Sequence, residues 1–238
     1  MATKKTRFAD VSKELDVFDK VSRTIASDMY LDDILKIIVA LTAELMGSKI
    51  CSLMLLNEKG DELQLVATQS LSKEYLNKPN VKVGQSISGQ AVKQMKPISV
   101  PDVKKEPSYM FPDIAKKEKL VSMLAVPLIV KNKVFGVLNS YTSKSHKFSN
   151  YEIKLLSAVA NQAAVAIYNR NLHEDNVALE AQLAERKIIE RAKGILMRSN
   201  NLSEEEAFKK IRTQSMDTRR SMKDIAEAII LINDPGKQ

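Results

Sequence analysis

Met123-Leu-Ala-Val-Pro-Leu-Ile-Val-Lys-Asn-Lys-Val-Phe-Gly-Val-Leu-Asn-Ser-Tyr141 reads as two apolar, strand-forming runs joined by Lys131-Asn132-Lys133. Asn tolerates a left-handed turn position, so the stretch predicts a β-hairpin. An earlier hairpin is read from residues 49–57 and 62–69, joined by Glu58-Lys-Gly-Asp61 with glycine at the turn. Between the hairpins, residues 86–95 read as a short helix and Pro97-Ile-Ser-Val-Pro101 as a proline-bounded strand. Residues 102–119 read as a loop with one or two helical turns. Ahead of them all, residues 10–27 and 31–46 carry helical periodicity, the second run ending at Gly47, a helix-terminating position. Strands arriving as meanders, with helices before and after, predict an α+β fold built on an antiparallel sheet.

From Ser149 onward the strand signals stop. Ser149-Asn-Tyr-Glu152 has capping-box spacing, and no Gly or Pro follows until Gly194. The helix so predicted is on the order of 60 Å long at about 1.5 Å per residue, more than one small domain covers. Leu172, Asn176, Leu179 and Leu183 alternate spacings of three and four residues, as core positions of a coiled coil do. Asn176 at an a position would fix register in a parallel homodimer through this helix; a helix lying on its own domain is the alternative. Ser203-Glu-Glu-Glu206 and Ser221-Met-Lys-Asp224 then open two more helices. The first is expected to bury Ala207, Phe208 and Ile211, the second Met222, Ile225, Ala226, Ile229 and Ile232. Three short amphipathic helices make a C-terminal bundle.

Gly194 lies inside Glu185-Arg-Lys-Ile-Ile-Glu-Arg-Ala-Lys-Gly-Ile-Leu-Met-Arg198, otherwise strong helix. With Ala192 at zero on a helical wheel, Ile188, Ile189, Ile195 and Leu196 form the core stripe, and Gly194 falls near 200°, on the solvent side, at about 100° per residue. Lys187, Arg191 and Arg198 surround it, with Lys193 and Met197 on the other flank. A mid-helix glycine costs about 1 kcal/mol relative to alanine. A bare backbone patch ringed by cations fits close approach by an anionic partner; the alternative is a neutral accident on a solvated face.

The 238 residues carry a formal net charge of +8 and a pI near 9.4, which permits a polyanionic partner without requiring one. The single cysteine, Cys51, excludes an intrachain disulfide and a cysteine-cluster metal site. No signal peptide or membrane span is read, and the chain is expected to be cytoplasmic. Helix-turn-helix DNA reading is disfavoured because the third bundle helix exposes Lys223, Asp224 and Glu227, placing acids against phosphates. The distributed cations suit an RNA hairpin, whose unpaired bases stack on Met or guanidinium planes. No catalytic triad, phosphate-binding loop or specially spaced carboxylate pair is found, so an enzyme is not expected.

Ile188-Ile-Glu-Arg-Ala-Lys-Gly-Ile-Leu-Met197, Leu202-Ser-Glu-Glu-Glu-Ala-Phe208, Ile211-Arg212, Met216-Asp-Thr218 and Lys223-Asp-Ile-Ala226 together closely resemble the ANTAR family of bacterial RNA-binding antitermination modules. Ser215 stands where that family usually has Ala, and Arg219 where Asn is common; both are expected to leave the fold untouched. The resemblance implies that Arg191, Lys193, Gly194, Met197, Arg198, Arg212, Arg219 and Arg220 contact RNA, Lys193-Gly194 above all. Gly84-Gln-Ser-Ile-Ser-Gly-Gln-Ala-Val92, Pro97 to Asp102, Val121 to Leu128, Val134 to Leu138 and Ala160-Asn-Gln-Ala-Ala164 resemble a GAF domain. That resemblance specifies a fold and leaves the small-molecule ligand, if there is one, unidentified; no cofactor or metal is assigned. Cys51 is read as a buried core thiol, against the chromophore-attaching and multi-cysteine reductase subclasses.

The expected organisation is a flexible basic N-terminus over 1–9, a GAF sensory domain over 10–168, a helical, coiled-coil linker over 169–185 and an ANTAR three-helix bundle over 186–238. The expected function is signal-responsive antitermination through hairpins in nascent RNA. The alternatives are an interaction protein whose bundle docks a protein partner, and a small-molecule enzyme with an RNA-binding tail.

Overall fold

In the computed structural model, residues 2–70 and 72–233 are described. The chain divides into two compact units, Met1–Arg170 and Asn171–Gln238.

The first unit is organised by a six-stranded, wholly antiparallel sheet: β1 (Ile50–Leu56), β2 (Glu62–Thr68), β3 (Val81–Lys82), β4 (Ile98–Val100), β5 (Ser122–Val130) and β6 (Lys133–Thr142), in the order β3-β2-β1-β6-β5-β4. The hairpin read at 123–141 is β5–β6, and its turn places Lys131 and Asn132 at φ 49° and 62°. Pro127 fits within β5 because β4 pairs only with Met123 to Ala125; beyond that point the missing N–H faces no strand. Gly136 is required by contact: a Cβ there would lie 2.1 Å from the Met54 carbonyl oxygen of the adjoining β1.

The two faces of the sheet bury different cores. Cys51, Leu53, Leu124, Val126 and Leu138 point toward α1 (Ala2–Ile25), α2 (Leu31–Met46) and the start of α6 (Asn150–Asn200), where Val21, Ile38, Leu156, Ala160 and Ala163 meet them. Alternate residues Ile50, Met54, Met123, Ala125, Val137 and Tyr141 point the other way. They meet α3 (Lys73–Leu76), α4 (Ser86–Gln94), a 3-10 turn (Val103–Lys105) and α5 (Pro112–Lys117). Gly47 ends α2 in the left-handed conformation, as expected.

Helix α1 begins at Ala2, so its backbone continues through the segment expected to be a flexible basic N-terminus; nothing between Ala2 and Asp10 is a helix breaker. Elements as short as α3 and β3 carry too few residues for a periodic signal. The Ser149–Glu152 capping box forms, with the Ser149 amide donating to Glu152 Oε2 at 2.7 Å and the Glu152 amide to Ser149 Oγ at 3.2 Å. Helix α6 then runs unbroken to Asn200. Leu172, Leu179 and Leu183 are 42%, 57% and 52% exposed. Among the described residues, no helix is long and apolar enough to cross a membrane.

Candidate nucleic-acid interface

The second unit closes the end of α6, α7 (Glu204–Thr218) and α8 (Met222–Asn233) around a small core of Ala192, Leu196, Ala207, Ile211, Ile225 and Ala226. Ile188, Ile189, Leu202, Met222 and Ile229 pack half-buried around it. Caps fix where its helices begin. Ser203 and Glu206 form a complete capping box, the Ser203 amide donating to Glu206 Oε2 at 2.8 Å and the Glu206 amide to Ser203 Oγ at 3.3 Å. At α8 the Ser221 amide donates to Asp224 Oδ2 at 3.2 Å, and the Asp224 amide returns a bond to Ser221 Oγ at 3.1 Å. Each carboxylate also lies at a helix N-terminus, where the helix dipole favours it.

Gly194 stands on the outer side of α6 with nothing within 4 Å of where a Cβ would be. Packing inside the bundle therefore does not require this glycine. Arg191 and Arg198 lie one turn before it and one turn after it, both exposed, and Met197 beside them is 36% exposed. Together these four make a continuous outer face of α6.

Lys193 does not belong to that face. Its side chain is turned inward, 8% exposed, and its Nζ lies 2.6 Å from Glu190 Oε2 and 2.7 Å from Glu204 Oε1. The carboxylates of Glu190 and then Glu204 hold its pKa above the ordinary lysine value. The expectation that Lys193 is the foremost RNA contact is thus corrected: it joins α6 to the first turn of α7. The wheel missed this because Glu204 lies on another helix.

Arg212 is exposed on α7, and Arg219 and Arg220 are exposed between α7 and α8. The 15 residues of α7 span about 22 Å at ~1.5 Å per residue, so Arg219 and Arg220 lie a helix length from the α6–α7 turn beside Arg198. The expected cations therefore form two groups. Arg219 takes φ 54° as the left-handed cap of α7, a conformation that Asn or Gly adopts at lower cost. Ser215 Oγ donates to the Arg220 carbonyl at 2.6 Å and ties down the same turn. The two departures from the family pattern therefore meet at one helix end, and they do shape the local backbone.

Two residues expected in the core are outside it. Phe208 is 42% exposed because the buried stripe of α7 runs through Ala207 and Ile211, about 100° away. Ile232 is 77% exposed, beyond the last α8 residues packed on the bundle. Phe208 and the 61% exposed Met216 add apolar surface to α7.

In the first unit Cys51 is fully buried, and burial pushes its thiol up to about 12, so it stays an uncharged core thiol. Among the described residues, no group of His, Cys, Asp and Glu is placed to hold a metal ion.

Comparison with known proteins divides the chain in the same way. A GAF-domain family model matches residues 30–167, and an ANTAR-domain model matches residues 177–230. Over 59 residues, 25% of this chain and 29% of the relative, the chain is 39% identical to the transcriptional regulatory protein PdtaR of Mycobacterium tuberculosis. Over 153 residues, 64% of this chain and 20% of the relative, it is 25% identical to a phosphoenolpyruvate-dependent phosphotransferase system protein of Escherichia coli. The chain thus spans less than a third of the length of these curated relatives. Among solved structures, the GAF domain of a phosphoenolpyruvate-protein phosphotransferase from Coxiella burnetii superposes with a TM-score of 0.62 at 22% identity, covering 69% of this chain and 98% of that one. The free methionine-R-sulfoxide reductase of Neisseria meningitidis gives a TM-score of 0.56 at 20% identity, covering 64% and 87%. Likeness at this identity is one of fold. The sheet, its two cores and the capped bundle, matched in turn by these two models, place the chain in the GAF family with an ANTAR domain following, the architecture of an ANTAR-type regulator.

Proposed function

We propose that this protein binds hairpins in nascent RNA through its C-terminal bundle and favours transcription past a terminator, under the control of its GAF half. The observation that carries the reading is Gly194: a mid-helix glycine with open space beyond it, between exposed Arg191 and Arg198, in an ANTAR domain. The helix-stability cost of that glycine has no return within the bundle, whereas a phosphate backbone or a loop base gains close approach from it. We assign contact to Arg191, Gly194, Met197 and Arg198, with Arg212, Arg219 and Arg220 extending it. Lys193 positions the α6 end rather than touching RNA.

The exposed leucines of α6 support a homodimer, and two bundles on two hairpins raise avidity without new contacts. DNA is not the assigned partner, since Asp224 at the start of α8 is held in its cap and Lys223 faces Glu227 at 3.9 Å. The reading assigns no catalysis, and it places the protein in the cytoplasm beside the transcript.

Filter binding to a hairpin RNA across a salt series tests this. Arg198→Glu is expected to weaken binding and to flatten the salt slope by about 0.7–0.9 for each phosphate the side chain no longer neutralises. Unchanged affinity and slope overturn the assignment. Exposed Phe208 and Met216 keep one rival, docking of a protein partner. A pull-down that survives nuclease, combined with no RNA retention on the filter, decides for that rival.

A further inference from the structure

The face of the sheet opposite α1, α2 and α6 buries a layer of hydrogen-bond donors as well as apolar side chains. Ser52 on β1 and Asn139 on β6 are paired neighbours across the two strands, both fully buried. Tyr75 donates its hydroxyl to Ser52 Oγ at 2.9 Å. Ser88 Oγ donates to Asn139 Oδ1 at 3.0 Å. Two residues along β6, the Tyr141 hydroxyl sits against those of Tyr75 and Tyr109. The Tyr75 and Tyr141 rings meet edge to face at 6.4 Å.

This layer has more donors than acceptors. The Asn139 Nδ2 amide is buried without a hydrogen-bond partner. Leaving such a group unmatched costs about 1–3 kcal/mol. Burial first, and the neighbouring phenols after it, push the Tyr141 hydroxyl well up, and burial raises those of Tyr75 and Tyr109 too. All three therefore remain protonated donors. Among the described residues no Asp or Glu is buried, so no carboxylate in the core absorbs these donors.

A cation stands over the same layer. Lys78, just after α3, holds its Nζ 4.4 Å from the centroid of the Tyr75 ring and 5.9 Å from that of Phe111. The two rings hold the ammonium by its attraction to their faces, and no carboxylate pairs with it among the described residues. Burial pulls its pKa down to about 7. An ammonium desolvated beside neutral donors, with no counter-ion, lacks an anion.

We infer that this side of the sheet is a binding site for a small oxyanion, a carboxylate or an inorganic oxyanion, held by Asn139, the hydroxyls of Tyr75, Tyr109 and Tyr141, and Lys78. Ser52 and Asn139 lie within about 5.5 Å of one another as strand neighbours, so the site is the size of a carboxylate group and not of a nucleotide. The inference deepens the sensory reading of the GAF half by giving its signal a chemical class, and it rests on that reading only for the role of the ligand.

Calorimetric titration of the full-length protein with sodium acetate and, separately, with inorganic phosphate tests the site. Saturable binding is expected for at least one, with a Kd of about 1 mM or tighter for a ligand of so few atoms. Acetate alone binding identifies a carboxylate signal; phosphate binding identifies an inorganic or phosphoryl oxyanion. Lys78→Met is expected to weaken binding about tenfold or more while the unliganded protein keeps its melting temperature. Tyr109→Phe, which removes one oxygen and no packing volume, checks the result independently of folding. If neither anion binds, or if both variants bind as the native protein does, the site is a water-filled core defect and the inference is overturned. Hairpin-RNA retention measured on the same preparations separates the two claims. Retention without anion binding sinks only this inference, and anion binding without retention sinks only the RNA reading.

Discussion

Lys193 Nζ lies 2.7 Å from Glu204 Oε1, an ion pair that joins the last turns of α6 to the first turn of α7. Glu190 closes on the same ammonium at 2.6 Å. The lysine beside the exposed glycine is thus part of the bundle's construction. Lys193→Glu would gather three carboxylates at one point and is expected to lower the melting temperature of the bundle, abolishing RNA binding only through unfolding. Lys193→Met keeps the stem and removes the charge. It is expected to retain hairpin affinity within about threefold and to leave the salt slope unchanged. Circular dichroism melts beside filter binding distinguish the two, and a flattened slope in folded Lys193→Met would restore lysine as a contact.

Gly194→Ala separates stability from binding. The added methyl meets nothing within 4 Å, so the helix is expected to gain about 1 kcal/mol. On the proposed interface the same methyl stands between α6 and RNA, and affinity is expected to fall about tenfold or more. A more stable protein that binds RNA equally well would return Gly194 to a neutral surface position.

Arg219 offers the same contrast at the other group of cations. Its left-handed φ of 54° is relieved by Gly, so Arg219→Gly is expected to stabilise α7 by about 1 kcal/mol. Loss of its charge is expected to reduce the salt slope by about 0.7–0.9 if the guanidinium contacts a phosphate. Arg219→Lys is the control: it keeps the charge and the strain, so neither change should follow.

These contrasts also show what the sequence made legible. Capping boxes are local, with Ser and Glu three residues apart, and those at Ser149 and Ser203 form as read. The β5–β6 hairpin is legible because both strands and the Asn132 turn are contiguous. The inward turn of Lys193 depends on a carboxylate eleven residues away on a different helix, which no wheel of α6 contains. Phe208 reads as core by composition, yet Ala207 and Ile211 set the buried stripe one residue off. The donor layer at Asn139 depends on strand pairing: Ser52 and Asn139 are 87 positions apart in sequence and adjacent in the sheet.

The leucines of α6 predict association. At 42%, 57% and 52% exposure, Leu172, Leu179 and Leu183 have little cover within the chain. Sedimentation equilibrium is expected to give a dimer, and Leu179→Asp with Leu183→Asp a monomer with unchanged near-ultraviolet spectra. The monomer should lose the avidity gain on a two-hairpin RNA while binding a single hairpin as before. A native protein that stays monomeric at micromolar concentration would remove the coiled coil from the mechanism.

Acid should unfold the bundle through its helix starts. Glu204 is held below its ordinary value of 4.5 by Lys193, and Glu206, also from 4.5, by the amide and hydroxyl of Ser203. Asp224 is held below 3.8 by the hydroxyl and amide of Ser221. Each folded-state pKa is depressed, so the unfolded chain takes up protons first as the pH falls. The stability these groups contribute is complete above about pH 4.5 and is lost progressively below it. Lys193 has the opposite sign: its raised pKa contributes stability that is complete below 10.5 and lost above it. A plateau in melting temperature between these limits is therefore expected for the bundle. All six tyrosines lie at or before Tyr168 and the chain has no Trp, so near-ultraviolet dichroism reports the first unit alone. The bundle is then the helical transition seen at far-ultraviolet wavelengths and absent from the near-ultraviolet. Ser203→Ala removes the acceptor for the Glu206 amide and one donor to its carboxylate, so it should lower that transition by about 1 kcal/mol at pH 7 and shrink its acid dependence. If that transition keeps the same temperature from pH 7 to below pH 4, the helix-start carboxylates are not what holds the bundle together.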